Sequence, residues 1–242
     1  MKKTFKRILS SFLVAVIVLT AAPLSGFAEL KLPDWFSFAK IGEYIKAAAA
    51  ANETFQYGIF ICIEENNEIT IKGVDKEINR KTYAGSIDIP EEINGKKVTK
   101  IGECAFKDFI GITSVYLPDN LTEVCGGAFF NCTSLSVVSM SPNLVNIGDL
   151  AFGKCTSLKA VILPSSLKKL GGGAFFQTSI TSILIPASLE FCNIGYGVVG
   201  IGLGYRIGPF SSSKLKNIYF DSGCTKICQG LFMKCNELEE VF

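Results

Sequence analysis

The sequence predicts a β-rich solenoid, in which a parallel sheet of about five to six short strands follows an N-terminal β cap. Three observations lead to this fold class. Ile101, Val124, Ile147 and Leu170 are each 23 residues apart, Ala-Phe pairs recur at the same interval, and each repeat contains one strand-like LxxVxL segment. A fixed period in the twenties indicates stacked coils, because a single repeat cannot bury its own apolar side chains.

The strand of each repeat follows from the alternation of its side chains. Val161 and Leu163 share one face, because successive side chains of a strand point to opposite sides. Pro164 then ends the strand, since proline lacks an amide donor. The Ile-Gly and Ala-Phe segment is too short for a long helix and is expected to cross the opposite side of the coil. Stacking at roughly 4.8 Å would bury the repeated apolar residues in one core.

The repeats occupy residues 101–242 and divide into six units. These units are 101–123, 124–146, 147–169, 170–193, 194–226 and 227–242. The fifth unit is longer because it contains the glycine-rich stretch 195–208, which we interpret as a loop inserted between rungs. The sixth stops in mid-strand at Phe242. Because solenoids need a polar cap at each end, we expect either a fragment or a missing C-terminal portion.

Residues 55–100 are predicted to form the N-terminal β cap. The stretch FQYGIFICIEENNEITIKG alternates apolar and polar residues around Asn66-Asn67, which indicates a hairpin. Asn94-Gly95 predicts a tight turn before the first repeat. A cap at this place would cover the open edge of the first rung. Residues 29–54 fit either a docking helix through the alanine run or a mobile tether.

Residues 1–28 are predicted to be a secretory signal peptide. Four cations precede an apolar run from Ile8 to Ala22, and small residues follow as far as Ala28. The run is short for a bilayer span, so an uncleaved membrane anchor is the alternative reading. We therefore expect a secreted or cell-surface protein with no membrane span after cleavage of the leader.

The charge and composition exclude several function classes. The precursor has 24 Lys and Arg against 22 Asp and Glu, and loss of the four leader cations leaves a net charge near −2. A nearly neutral chain has no electrostatic footprint for nucleic acid. The chain contains no histidine, which excludes Ser-His-Asp and Cys-His nucleophiles and His-ligated zinc.

Two further patterns are weak signals of enzyme chemistry. Residues 195–200 match GxGxxG, but the glycines that follow and Pro209 prevent the helix that a dinucleotide site needs. Adjacent acids such as Glu64-Glu65 point apart in a strand and indicate solvated edges instead of paired catalytic acids. We therefore predict no catalytic site and no cofactor.

Cysteines recur in register with the repeats. Cys132, Cys155 and Cys235 each lie three residues after the repeated phenylalanine. A thiol at this place is most simply a small buried apolar group. Cys132 and Cys155 would stack at a distance that a disulfide spans. We favour free thiols, because Phe109 and Thr178 occupy the same slot in other units. The C-terminal cysteine spacing is unlike a structural zinc site, so no metal is predicted.

The candidate binding surface is the outward face of the strands, where residues flanking the buried Val or Ile form two columns. The first column is Ser114, Val137, Ala160, Ser182 and Asn217, and the second is Tyr116, Ser139, Ile162, Leu184 and Tyr219. The second column is more apolar than solubility requires, and exposed aromatic anchors are typical of protein interfaces. We therefore predict ligand binding by the second column together with Ser114 and Asn217. The alternative is that inter-rung packing or the insert covers this stripe.

The repeat resembles a known family. IPEEINGKKVTKIGECAF, followed by units of the form IGxxAFxxCxxLxxVxLPxxL, is similar to the BspA-type leucine-rich-repeat surface proteins over about residues 55–242. The sequence departs from that pattern in the insert, in the short sixth unit, and at Cys125 and Cys228, which replace a glycine. The resemblance implies a bacterial leucine-rich-repeat protein that is secreted or displayed on the surface and binds host or matrix proteins.

The expected function is that of a non-catalytic, monomeric scaffold. Its expected partner is a protein, such as a host extracellular-matrix or cell-surface protein, to which it would adhere. The alternative is a substrate- or wall-targeting repeat module of a larger surface protein.

Overall fold

A computed structural model describes residues 53–196 and 206–242 of the chain. The signal-peptide prediction, the helix-or-tether prediction as far as residue 52, and residues 197–205 of the predicted insert lie outside the described residues. Throughout the two described ranges the regular secondary structure is β-strand, and turns connect the strands.

The strands are short. In chain order they are β1 Thr54–Tyr57, β2 Phe60–Glu65, β3 Glu68–Val74, β4 Ala84–Asp88, β5 Glu92–Ile93, β6 Lys96–Ile101, β7 Gly111–Tyr116, β8 Glu123–Val124, β9 Val137–Ser139, β10 Asn146–Ile147, β11 Lys169–Leu170, β12 Ser182–Ile185, β13 Phe191–Cys192, β14 Gly195–Tyr196, β15 Arg206–Ile207, β16 Asn217–Phe220 and β17 Glu240–Val241.

Two parallel ladders run along the solenoid, which confirms the predicted β-rich repeat fold. The back ladder joins β3, β6, β8, β10, β11 and β13, and pairs Val124 with Ile147 and Ile147 with Leu170. The front ladder contains the LxxVxL strands and has two parts, β4-β7-β9 and β12-β16-β17. Residues 159–163 lie between these parts and carry the strand pattern, but they do not pair as a strand. The front ladder is therefore interrupted at the third unit.

The fifth unit begins at a different residue from the one predicted. Leu170 pairs with Cys192, whereas the sequence pattern placed Ile194 in this position. The side chain of Cys192 is buried and fills the slot that Leu170 fills in the unit before it. The sequence pattern missed this register because a cysteine replaces the expected aliphatic residue and the insert follows directly.

The N-terminal strands form an antiparallel meander, β1-β2-β3. Asn66 and Asn67 make the turn of the predicted hairpin, with φ values of 54° and 64°, a conformation that asparagine tolerates. β3 then pairs in parallel with β6, and β4 pairs in parallel with β7. Residues within 55–100 therefore contribute strands to both ladders. Their role as a cap stays a prediction.

The core contains a stack of phenylalanine rings, one from each of the first five units. Phe106, Phe129, Phe152, Phe175 and Phe210 are fully buried. Successive ring centroids lie 5.0, 5.3, 5.5 and 5.3 Å apart, and the ring planes are within 8° of parallel. Phe210 follows the insert in sequence but continues the stack, so the core keeps its register across the fifth unit.

Two of the three repeating cysteines, Cys132 and Cys155, are buried free thiols in the same core as this stack, and Cys235 is a partly buried free thiol. Cys132 Sγ donates to the carbonyl oxygen of Phe106 at 3.1 Å, and Cys155 Sγ donates to that of Phe129 at 3.2 Å. Burial raises the pKa of the Cys132 thiol to about 12 and that of Cys155 well above its ordinary value. These thiols are therefore packing groups with little nucleophilic character at neutral pH.

One disulfide was not anticipated from the sequence. It joins Cys192 of β13 to Cys228 of the last unit, with the two Cα atoms 5.6 Å apart. The two residues are 36 positions apart, and the insert lies between them. The bond links adjacent units. Leu170 occupies the position of Cys192 in the unit before it, and glycine occupies the position of Cys228 in several other units.

Candidate functional site

The front ladder positions the predicted columns by simple alternation. In β7, Val115 is fully buried, whereas Tyr116 on one side is exposed and Ser114 on the other is half-buried. A strand that buries every second residue must present the residues between them on its other face. The same alternation recurs in β12, where Ile183 and Ile185 are buried and the serine and leucine between and before them are exposed.

The parallel register brings the members of each column side by side. Ser114 pairs with Val137, and Tyr116 pairs with Ser139. In the second part of the ladder the pairs are Ser182 with Asn217 and Leu184 with Tyr219. The structure therefore brings together the predicted residues of neighbouring units within each part of the front ladder.

The exposed apolar side chains of the second column give the surface its character. Tyr116 is 49% exposed, Ile162 84%, Leu184 54% and Tyr219 43%. Inter-rung packing therefore does not cover them. Ile162 lies in the segment that interrupts the ladder, and it is the most exposed large apolar residue of the described chain. We call the two columns together the front strip.

Phe242 extends the second column of the front strip by one unit, and it was not among the residues predicted from the sequence. Its ring stacks on Tyr219 with centroids 5.0 Å apart and planes 7° from parallel. Phe242 lies 23 residues after Tyr219, so the repeat period would have found it. At the other end of the strip Asp88 pairs with Tyr116. Because the register shifts between Gly85 and Ser86, the 23-residue period does not predict this pair.

Charged groups lie at the borders of the front strip. Lys216 directly precedes Asn217 of the first column, and its Nζ donates a hydrogen bond to Glu239 Oε1 at 2.7 Å. The hydrogen bond to Glu239 raises the pKa of the Lys216 ammonium group. Between Asp88 and the last strand, the predicted site residues are hydroxyl, amide, aliphatic or aromatic. This composition suits contact with another apolar and hydrogen-bonding surface.

Two further kinds of feature, a metal-binding cluster and a membrane-spanning helix, are absent from the described residues. They contain no group of three or more Cys, Asp or Glu side chains placed to hold a metal ion. They also contain no helix with the length and apolar character needed to cross a bilayer. Residues 197–200 of the GxGxxG match lie outside the described part of the chain.

Comparison with known sequence families identifies the repeat. The profile of the BspA type leucine rich repeat region matches six copies, over residues 76–196 and 206–242. No curated protein sequence matches this chain at a significant level.

Two solved structures of bacterial leucine-rich repeat proteins have the same fold. A leucine-rich repeat protein of T. pallidum is 23% identical, with a TM-score of 0.60, over 78% of this chain and 81% of its own. A leucine-rich repeat protein of Bacteroides ovatus is 22% identical, with a TM-score of 0.59, over 77% of this chain and 46% of its own. These similarities show the fold.

Proposed function

Because the chain belongs to the BspA-type leucine-rich repeat family, we propose that it is a non-catalytic scaffold that binds another protein through the front strip. The single observation that carries this proposal is the line of exposed apolar side chains along the front ladder and the segment that interrupts it, on the face opposite the packed core. Tyr116, Ile162, Leu184 and Tyr219 are exposed although they flank the fully buried core. A rigid face with aromatic anchors is what a protein interface uses.

The rigidity of the front strip supports this proposal. The buried side chains of the strands belong to the same core as the phenylalanine stack, and neighbouring strands pair within each part of the ladder. A preformed surface loses little conformational entropy on binding, so more of the contact energy appears as affinity. The low charge of the strip favours a partner surface of apolar and hydroxyl-bearing side chains.

We further propose a secreted or cell-surface location, with residues 1–28 removed as a signal peptide, and adhesion to a host extracellular-matrix or cell-surface protein. The leader pattern of the sequence supports the location. Family membership supports a surface scaffold. N-terminal sequencing of the exported protein tests the cleavage, and a start at residue 29 is the expected result.

The binding experiment uses the full chain, immobilised, and a panel of purified extracellular-matrix proteins. We expect at least one saturable interaction. Tyr116→Ser combined with Tyr219→Ser should weaken it more than tenfold, because aromatic side chains that become buried at the centre of an interface each contribute about 2 kcal/mol or more to binding. Tyr57→Ser is the matched control, since Tyr57 is 43% exposed but lies in β1.

The thermal midpoint separates a binding defect from misfolding. Tyr116 and Tyr219 are exposed, so their replacement should leave the midpoint within about 2 °C, consistent with the small effects of surface substitutions. Binding that is unchanged in the double variant, or absent across the whole panel, would refute the proposal.

A further inference from the structure

A second surface lies beside the back ladder, away from the front strip. A groove of about 570 Å³ crosses five units there. Glycines are among its lining residues, and two of them leave no room for a side chain. A Cβ on Gly148 would lie 2.5 Å from the backbone nitrogen of Gly126, and one on Gly171 would lie 2.3 Å from that of Asp149. The close stacking of the units therefore requires glycine at these two positions.

A fixed polar cluster lines the groove at the third to fifth units. The Asp149 carboxylate accepts a hydrogen bond from the Gly172 amide at 2.7 Å and from Asn193 Nδ2 at 2.9 and 3.0 Å. Asn193 reaches past the fourth unit because Gly171 and Gly172 have no side chains in between. A carboxylate has four lone-pair positions and an amide oxygen has two, so both groups retain capacity to accept from a ligand.

The charged groups of the groove balance each other. Glu103 and Asp149 are acidic, and Lys107 and Lys169 are basic. None of the four takes part in an ion pair within the described ranges. The groove thus offers hydrogen-bond donors and acceptors without a strong net charge. This balance favours a neutral, polar ligand over a polyanion.

An exposed aromatic ring completes the groove. Phe191 of β13 lines one end and is 56% exposed. Its neighbour Cys192 is tied to Cys228 by the disulfide, which anchors both Phe191 and Asn193. An exposed ring beside carboxylate, amide and ammonium groups matches the surface of a sugar, whose C–H face packs on the ring while its hydroxyls form hydrogen bonds.

Among the described residues, the aliphatic side chains of the groove do not form subsites that would suit a peptide. The aliphatic side chains along it, Ile147, Leu150 and Leu170, are at least 97% buried and are committed to the protein interior. Specific recognition of an extended peptide depends on pockets for its alternate side chains. A ligand that carries both a C–H face and hydroxyls along its length fits a lining that mixes apolar and polar groups.

We propose that this groove binds a short, neutral, linear oligosaccharide, with Phe191 as the stacking platform and the Asp149–Asn193 pair as the fixed polar contact. This site is separate from the front strip. A chain that fails to bind matrix proteins can therefore still bind a saccharide, and the reverse also holds.

The test is an array of neutral linear oligosaccharides probed with the full chain, followed by calorimetric titration of the best trisaccharide. We expect saturable binding with one site per chain. Phe191→Ser and Asn193→Ala should each weaken it at least tenfold. Tyr57→Ser and the Tyr116→Ser, Tyr219→Ser double variant should leave it unchanged.

The experiment separates a loss of binding from a loss of the fold, and a saccharide ligand from a peptide ligand. Because Phe191 is more than half exposed, its replacement should preserve the fold, and the thermal midpoint checks this. Lack of binding by every neutral oligosaccharide on the array would overturn the proposal. So would saccharide binding that Phe191→Ser and Asn193→Ala leave intact. A degenerate heptapeptide pool run in parallel would also overturn it if peptides bind and Phe191→Ser abolishes that binding.

Discussion

The rings of Phe129 and Phe152 stack face to face, with centroids 5.3 Å apart and planes only 5° from parallel. The two residues are 23 positions apart and fully buried. Each unit thus places one ring directly on the ring of the next. This contact couples the units of the solenoid, whose stability is approximately the sum of unit and interface terms.

The central ring of the stack should be the most costly to remove. Phe152→Ala should lower the free energy of unfolding by about 3–5 kcal/mol, because it deletes a buried ring and leaves a cavity between two others. Urea denaturation followed by circular dichroism measures the loss. Phe232→Ala is the control, since Phe232 is half-buried and stacks on Phe210 at 6.5 Å and 23°. An equal loss at both positions would contradict this account.

In the third unit, the glycine after the first apolar residue, Gly148, is required by close backbone contact. Gly148→Ala should destabilise the protein by about 1–3 kcal/mol, because its Cβ would lie 2.7 Å from the Cys125 carbonyl carbon. Gly126→Ala is the matched control, since its Cβ would meet only the Asp149 oxygen at 3.4 Å. Urea midpoints compare the two variants. A harmless Gly148→Ala would show that the units separate more easily than the structure indicates.

Cys104 occupies a left-handed position that the next unit gives to glycine. Its φ is 55°, and that of Gly127 in the same register is 62°. Cys104→Gly should stabilise the fold by about 0.5 kcal/mol. The substitution relieves the strain of a cysteine in the left-handed conformation, and this gain exceeds the extra conformational entropy that glycine loses on folding. Gly127→Ala should destabilise it, because φ is positive and its Cβ would lie 3.2 Å from Cys104 Sγ. Thermal melts of both variants test the opposite signs.

The buried thiols should make the fold sensitive to alkali. An unfolded cysteine ionises near its ordinary pKa of 9.0, whereas burial raises the pKa of Cys132 to about 12. The folded chain therefore retains protons that the unfolded chain releases above pH 9. The stabilisation is complete below pH 9 and is lost as pH rises towards 12.

Cys132→Thr checks this pH dependence. Thr178 occupies the same slot in a later unit and donates to the Phe175 carbonyl at 2.9 Å, so threonine is compatible with the site. Urea denaturation at pH 8, 9, 10 and 11 should show a shallower fall for the variant than for the parent. Parallel slopes would assign the alkaline loss to other groups.

The Cys192–Cys228 disulfide should stabilise the last two units. A loop of this length predicts a loss of about 2–4 kcal/mol in Cys228→Ser. Dithiothreitol should lower the stability of the parent and leave the variant unchanged. Cys125→Ser is the control, because Cys125 is a free thiol at the same place in the second unit. Non-reducing peptide mapping that finds no Cys192–Cys228 link would contradict the assignment.

The front strip was largely accessible to sequence reasoning. Val115 and Tyr116 alternate in the strand pattern, and the period places Tyr116 beside Ser139. The sequence did not reveal the interruption at residues 159–163, because that segment carries the same LxxVxL pattern as its paired neighbours. Pairing depends on distances between units, and side-chain type alone does not specify them.

The sequence by itself determined the repeat, the buried phenylalanine stack and the outward columns. It did so because one unit cannot bury Phe152 or Leu158 alone, and only stacking at the 23-residue period buries every such side chain. Tertiary structure alone decided that Cys192 starts the fifth rung and that Asn193 meets Asp149 across 44 residues. Those contacts depend on which residue pairs with Leu170 and on the space that glycines leave empty, and a local pattern of side chains specifies neither.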